Sequence, residues 1–488
     1  MESYQLAAII FIIIYYAFII GLSIYRKVIK SEMDYFLANR TFPAWVLAFS
    51  YAASWFGGAS AIISADKAYS GGWSAYFVMG GPTIVSGIVL LFFAKRIRMF
   101  GPLSQPEMTE ARYNRTARII QSIIIWWYMV TWAASQMIGA ANFVSGFFGW
   151  SYTIALFVVV VVVWFYSMFG GFKSVVTTDI GQFAWIIVAL IIVLIFAFKG
   201  SGGFGNVSKV VSQKGLENYY NIFGNAKYSL FYIISFTFAW VISAEIWQRF
   251  SAAKSVRDAQ KLSRGALYIN IPLYFFVVII GMLALAMYPE KPEGQHIMVL
   301  VIQDYVPPVL AGISFAGLLA ALMSTMDTAI NTGSLVLTED IYHRCFKKDA
   351  SEAQLVLFGR ISATIMAVCG IFISIAIKDL LWVLWMASDI LASGVFWPLI
   401  LGIYTKWGTT KGAIASMLVG AAFVLWHYLI DLGVALPSII PAWPGRSWPF
   451  SIFWGIVIGL VVYVVASLLT QSEEERMKAE KFMERFAE

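Results

Sequence analysis

Ser324, Asp327, Thr328 and Asn331 fall at i, i+3, i+4 and i+7, so a helix through them carries two hydroxyls, a carboxylate and an amide on one face, with Thr325 at its border. The same stretch adds Thr332 to an otherwise apolar run through Ala320, Ala321 and Met323. Oxygen at that density is costly in hydrocarbon unless it is used. Hydroxyls and a carboxylate beside free carbonyls make a hard-oxygen site suited to a small alkali cation, and interhelical hydrogen bonding is the competing use. A second irregular patch lies between Pro43 and Ser60, where Gly57 and Gly58 interrupt an apolar segment. Each glycine weakens a helix by about 1 kcal/mol, which predicts an unwound stretch there. Non-helical backbone at bilayer depth survives only where it lines a cavity or is buried in protein, because its carbonyls need partners, and a cation is one such partner.

Four acids, Asp179, Glu245, Asp327 and Asp389, fall inside or at the margins of apolar runs, and hydropathy places no Lys or Arg at the same depth. An unpaired carboxylate in the membrane interior costs at least about 2.5 to 3.5 kcal/mol. The interior is therefore expected to hold cations or protons, and ion coupling is the leading expectation. Other chemistries find little support. Gly200, Gly202 and Gly205 form a GxGxxG, but no strand precedes it and no βαβ unit surrounds it. His296, His343 and His427 stand far apart and none has a ligand spacing, so metal catalysis is not indicated. No nucleophile, base and orienting group fall together, and an enzyme is not expected. Cys369 lies within an apolar run and Cys345 in an expected loop, which gives no disulfide framework.

The elements that must hold these residues are membrane helices. Of the 488 residues 60% are hydrophobic and 12% charged, with a mean hydropathy of +0.77, against about 25% charged in soluble domains. A window of about 19 residues finds thirteen spans, near 6 to 26, 43 to 65, 73 to 95, 118 to 145, 152 to 170, 179 to 199, 227 to 248, 266 to 288, 308 to 336, 355 to 377, 380 to 403, 412 to 431 and 450 to 470. The first run has Glu2 before it and Arg26, Lys27 and Lys30 after it, the reverse of a cleaved signal peptide, so it reads as a retained span. With the N-terminus outside and the C-terminus in the cytoplasm, roughly three quarters of the 34 Lys and Arg face the cytoplasm. The net charge of +7 is thus a topology signal, and the basic residues are too scattered for a nucleic-acid surface. The tail, 471–488, alternates acids and bases as a short surface helix would, and is too small for a kinase or catalytic domain.

Five stretches in order resemble the sodium:solute symporter family, which includes bacterial proline and sialic acid carriers and vertebrate sodium/glucose cotransporters. They are Pro106 to Asn114, Gly170 to Gln182, Gln248 to Ser255, Ala321 to Asp327, and Pro398 to Tyr404 followed by Lys411-Gly-Ala-Ile. The resemblance covers about residues 5 to 470. It implies an all-α polytopic protein with a leucine-transporter-type core of two inverted five-helix repeats, 43–199 and 227–403, separated by an outer loop, 200–226. The first helix and loop (1–42) and the two helices of 404–470 would be peripheral.

By position in the family motifs, the carbonyls of Ala53, Phe56 and Ala321 and the hydroxyls of Ser324 and Thr325 would hold Na⁺. Asp179, Asp327 and Thr328 correspond to a second sodium site of some members, with Asp327 replacing a serine. Proline carriers have an Asp after the Ser of the first core helix where this chain has Trp55, which does not support proline specificity. The sixth core helix lacks the Gly or Pro that breaks it in many relatives, so a break near Ser243 and Ala244 is not expected. Trp55, Gly58, Trp73, Tyr76, Gln136, Asn142, Trp240, Glu245 and Asp389 are the expected substrate contacts. The resulting expectation is a Na⁺-coupled symporter of a small neutral or zwitterionic solute, working as a monomer in a lipid bilayer, the inner membrane of a prokaryote. Proton coupling through Asp179 or Asp327, and a solute sensor acting with a separate partner, are the alternatives.

Overall fold

The computed structural model describes residues 2–25, 31–439 and 450–486. Among them every named element is helical, and the one extended contact is an isolated parallel bridge between Phe42 and Ala253. The expected basic flank Arg26, Lys27 and Lys30 lies outside the described residues, as does part of the link between the last two spans.

The chain runs through α1 (Ser3–Tyr25), α2 (Glu32–Leu37), α3 (Ala44–Trp55), α4 (Ser64–Gly71), α5 (Tyr76–Phe100), α6 (Gln105–Arg112) and α7 (Arg115–Phe148). It continues with α8 (Tyr152–Ser201), α9 (Phe204–Gln213), α10 (Ala226–Val241), α11 (Ala244–Ala252), α12 (Val256–Met287), α13 (Ile297–Tyr305) and α14 (Pro308–Leu335). The last elements are α15 (Glu352–Ala376), α16 (Leu380–Tyr404), α17 (Thr410–Asp431), α18 (Phe450–Leu469) and α19 (Glu473–Glu484) in the tail. Side chains and glycines mark many of the ends. Asn114, Ser151, Ser255 and Thr409 accept N-terminal backbone N–H groups, Ser351 and Gln354 form a reciprocal capping box, and Gly101 and Gly149 close α5 and α7 in the left-handed region.

Ten helices are long and apolar enough to cross a bilayer, or eleven with the bent pair Ser229–Val241 and Ala244–Ala252, against the thirteen expected. The difference arises at two places. α8 has 50 residues, and a straight helix of that length would measure about 75 Å, well over the roughly 30 Å of hydrocarbon. It turns at Gly171 (φ 55°, ψ −165°), which joins the expected fifth and sixth spans in one element. The expected second span is broken at Phe56–Gly57, and its second half runs on into the third as one apolar stretch, Ala59–Phe100.

Burial separates a centre from a periphery. α14 is buried along most of its length and lies against α8, α7, α1 and α3. α1 and α18 instead leave large apolar side chains such as Ile13, Phe18, Val461 and Leu468 exposed, as lipid-facing helices do. A helix that is polar on one face and buried all round must spend its oxygens on neighbours, and α14 does so against α3, α8 and α11.

Candidate functional site

α3 stops at Trp55 because the chain needs glycine in its next turn. A Cβ on Gly57 would stand 2.7 Å from the Thr325 Oγ1, and one on Gly58 would stand 2.5 Å from a Leu322 methyl. Only glycine lets this backbone come so close to α14. Phe56, fully buried, ends the helix with φ −88° and ψ 68°, and the chain resumes as a wide helical turn, Ala59–Ile63, before α4. Carbonyls released by the break find side chains: Ser60 Oγ and Tyr274 OH both donate to the Trp55 carbonyl, at 3.0 and 3.4 Å. Across the gap, Ser324 Oγ lies 3.0 Å from the Ala53 carbonyl and 3.0 Å from that of Ala321, and Thr325 Oγ1 donates to Ala321 at 3.2 Å. Ala53, Ala321, Ser324 and Thr325 therefore meet at one buried point beside the break where Phe56 sits. Two hydroxyls and the end of a helix, shielded from solvent, supply the neutral oxygen donors that an alkali ion takes.

One turn along α14 the expectation of a base-free interior is corrected. Arg249, in α11, is fully buried, and its Nη2 donates to Asp179 Oδ2 (3.1 Å), Thr328 Oγ1 (3.0 Å) and Ser54 Oγ (2.5 Å). Its Nε donates to Ser50 Oγ at 3.0 Å, and Ser50 in turn donates to Asp179. Asp179 and Thr328, expected to share a second sodium, are thus already bridged by a guanidinium. Asp327 accepts from Tyr166 OH at 2.7 Å, and its other oxygen has no hydrogen-bond partner among the described residues. Hydropathy had placed Arg249 just beyond a span ending at 248, whereas the chain folds it inward.

It can do so because α10 and α11 are separate helices bent by 44°. This corrects the expectation of an unbroken sixth core helix. The break at Ile242 and Ser243 uses neither Gly nor Pro; side chains from elsewhere hold it open. Gln105 Nε2 donates to the Ile242 carbonyl at 2.8 Å, and Trp247 Nε1 donates to that of Val241 at 2.8 Å. These partners relieve the unsatisfied carbonyls that normally make such a break unfavourable.

Glu245 opens α11 at this break, fully buried. It accepts from Ser243 Oγ and from Trp55 Nε1 (3.3 Å), while its Oε2 has no hydrogen-bond partner among the described residues. Rings crowd around it. Trp55 lies against Tyr51 and Trp240, with centroids 4.6 and 4.9 Å away, and Trp240 stacks on Phe236 at 5.1 Å. Phe236 continues the column to Tyr232, which lines a cavity of about 260 Å³ with Lys67, Ser74, Asn225 and Ser229. Gln136 reaches the α3 break directly, accepting the Gly58 N–H at 2.8 Å.

The remaining expected contacts go elsewhere. Trp73 and Tyr76 pack on Phe275 of α12, the second in a stack at 4.1 Å. Asp389 accepts from Ser235 and Tyr428 at 2.6 and 2.7 Å, so it faces α10 and α17 and not α3. Asn142 is half-buried on α7, six residues beyond Gln136 and on another face of that helix. Sequence reasoning missed Ser50, Ser54, Tyr51, Ser243 and Tyr166. Arg249 was visible only as part of the Gln248-Arg249-Phe250 motif.

Comparison with known proteins adds an independent line. Residues 35–420 match the model of the sodium:solute symporter family. The osmoregulated proline transporter OpuE of Bacillus subtilis is 26% identical over 461 residues, covering 90% of this chain and 89% of the relative. The sodium/proline symporter of Escherichia coli is 27% identical over 491 residues, covering 96% and 93%. Among solved structures, a substrate-bound, outward-open Na⁺-coupled sialic acid symporter superposes with a TM-score of 0.77 at 18% identity, covering 95% of this chain and 98% of that one. Mhp1, a nucleobase-cation-symport-1 transporter, does so with 0.53 at 14% identity, covering 93% and 99%. The fold is of the leucine-transporter type.

Proposed function

The chain belongs to the sodium:solute symporter family, and from that premise we propose that it drives uptake of a small amine-bearing solute, a zwitterion above all, with one inward-moving Na⁺. The observation that carries the ion is the meeting of Ser324, Thr325 and the carbonyls of Ala53 and Ala321 across the α3 break. We assign Na⁺ to these oxygens with the carbonyl of Phe56. Sodium there bridges α3 and α14, favours the outward-open arrangement and completes the pocket. Solute binding then favours closure, and inward rocking separates α14 from α3 and lets the ion leave. The repeats are assigned to 43–199 and 227–403, with the N-terminus outside and the C-terminus in the cytoplasm of a prokaryotic inner membrane. The transport unit is assigned as one chain.

The stoichiometry follows from Arg249. With a guanidinium already on Asp179 and Thr328, the second site needs no ion from solution. One Na⁺ descending 100 mV and a tenfold gradient releases about 3.7 kcal/mol, which supports roughly 500-fold accumulation of a neutral solute.

Glu245 supports the amine. Its Oε1 holds the indole N–H of Trp55, which packs against Tyr51 and Trp240, while its Oε2 has no hydrogen-bond partner among the described residues, and a carboxylate beside aromatic faces suits an ammonium group. The rings fill that space in this structure, so the solute enters by parting the column below the cavity. Proton coupling is the second reading, favoured by the unpartnered oxygen of Asp327; it predicts uptake that persists without sodium across a pH gradient.

The deciding experiment is thermal unfolding of purified protein with NaCl or choline chloride, across a screen of amino acids, betaines, sugars and carboxylates. Sodium should raise the melting temperature of the wild type, and Ser324→Ala/Thr325→Ala should abolish the effect. A double variant that sodium stabilises as strongly as the wild type would show the ion to be elsewhere.

A further inference from the structure

At the opposite end of α14 from Pro308, the helix continues as a wide turn, Val336–Phe346, that carries Glu339 and His343. Spacing in the sequence gave no histidine a metal partner. The fold supplies one by bringing in Glu32, the first residue of α2, some three hundred residues earlier. One ligand atom from each of Glu32, Glu339 and His343 lies within 4.8 Å of the others. Ligands arranged tetrahedrally about an ion, with bonds of about 2.0 to 2.2 Å, stand about 3.3 to 3.6 Å apart, so the group closes on an ion with side-chain shifts of about 1 Å.

Glu32 points to a ligand independently. The residue is 8% exposed, and its Oε1 is buried with no hydrogen-bond partner among the described residues. The surrounding charge points the same way. Glu339 receives Arg344 Nε at 2.9 Å, Arg118 Nη2 at 3.3 Å and His343 Nδ1 at 2.6 Å. Arg118 also holds Asp340 and Glu110, both at 2.5 Å. Glu352, at the start of α15, accepts the backbone N–H of Glu32 at 2.6 Å. Five carboxylates thus face two guanidinium groups among the described residues, and Glu32 has neither guanidinium.

We propose that Glu32, Glu339 and His343 form a binding site for a divalent cation of borderline softness, of the Zn²⁺ or Co²⁺ class, at this end of the bundle. Two carboxylates and an imidazole select such ions over Mg²⁺ and Ca²⁺, which take oxygen alone. The ion ties α2 to the end of α14. α2 leads into α3 through Ala38, Asn39 and Arg40, three successive non-glycine residues in the left-handed region (φ 48°, 51° and 56°). On the sodium reading above, which this role rests on, the ion restrains the two helices whose separation releases sodium.

The test is binding alone, so it stands apart from transport. Full-length protein, stripped of metal and of any purification tag, is titrated with ZnCl₂, CoCl₂ and MgCl₂ by calorimetry, with Co²⁺ followed by its visible absorption. Zn²⁺ and Co²⁺ should each bind saturably at one site, with Mg²⁺ at least about tenfold weaker. Glu32→Gln and His343→Gln, which spare the Arg118 network, should each weaken Zn²⁺ at least about tenfold. His296→Gln, at the other end of the molecule, should leave it unchanged. No saturable binding by the wild type, or wild-type affinity in both Glu32→Gln and His343→Gln, would overturn the assignment.

Discussion

Replacing Arg249 by Gln removes the internal cation while keeping a hydrogen-bonding side chain. At 3.1 Å from Asp179 and an effective dielectric of 20, the pair is worth about 5 kcal/mol of Coulomb attraction. Truncating one partner of a buried pair costs about 3 to 5 kcal/mol because the other charge is left uncompensated. Asp179 and Asp327 would then share a buried pocket with hydroxyls of Ser50, Ser54 and Thr328 and no base. Such a pocket would suit a second sodium. The variant should therefore unfold at a markedly lower temperature in choline chloride and recover disproportionately in NaCl, since an ion at one hundred times its dissociation constant returns about 2.7 kcal/mol. Unfolding temperatures against NaCl at constant ionic strength should fit one site for the wild type and two for Arg249→Gln, and ²²Na⁺ uptake per solute should rise from one towards two. Sodium stabilising the variant no more than the wild type would refute the idea that the guanidinium stands where an ion would.

Glu245→Gln keeps the shape of its side chain and removes the charge, so an ammonium-bearing solute identified by the thermal screen should bind at least about tenfold more weakly while sodium-dependent stabilisation is retained; equal solute affinity would remove Glu245 from the pocket. Gly57→Ala places a methyl 2.7 Å from the Thr325 hydroxyl and against Gln136. Overpacking of this kind costs about 1 to 3 kcal/mol, and here it should appear as a sodium affinity reduced by about five- to one-hundred-fold with little change in the solute preference, read from the NaCl dependence of uptake.

The two irregular patches were legible because they violate the rule for lipid: glycines at mid-span and a row of hydroxyls have no purpose in hydrocarbon. Their meeting was not legible, since it depends on α3 and α14 crossing, yet the family motifs placed it at Ala53 and Ser324. Arg249 shows where hydropathy fails. A charge at the edge of an apolar window reads as a loop residue, and nothing local says that the helix will bend and carry it inward. The α10–α11 break was missed for a related reason, because its carbonyls are satisfied by Gln105 and Trp247, one of them distant in sequence. Among the expected solute contacts, helix position alone did not distinguish Asp389, bonded away from α3, from Glu245, which faces Trp55. Packing made that choice.

The guanidinium on Asp179 has an electrical corollary. A sodium ion is surrendered at the end of every cycle, whereas Arg249 is covalently part of the carrier and stays through the homeward leg. The empty transporter therefore reorients with one buried carboxylate permanently neutralised, carrying less negative charge through the membrane field than a two-ion carrier that has just emptied both sites. On the single-sodium proposal, its return step should respond less to voltage than that of a carrier which has emptied a second ion from the same place.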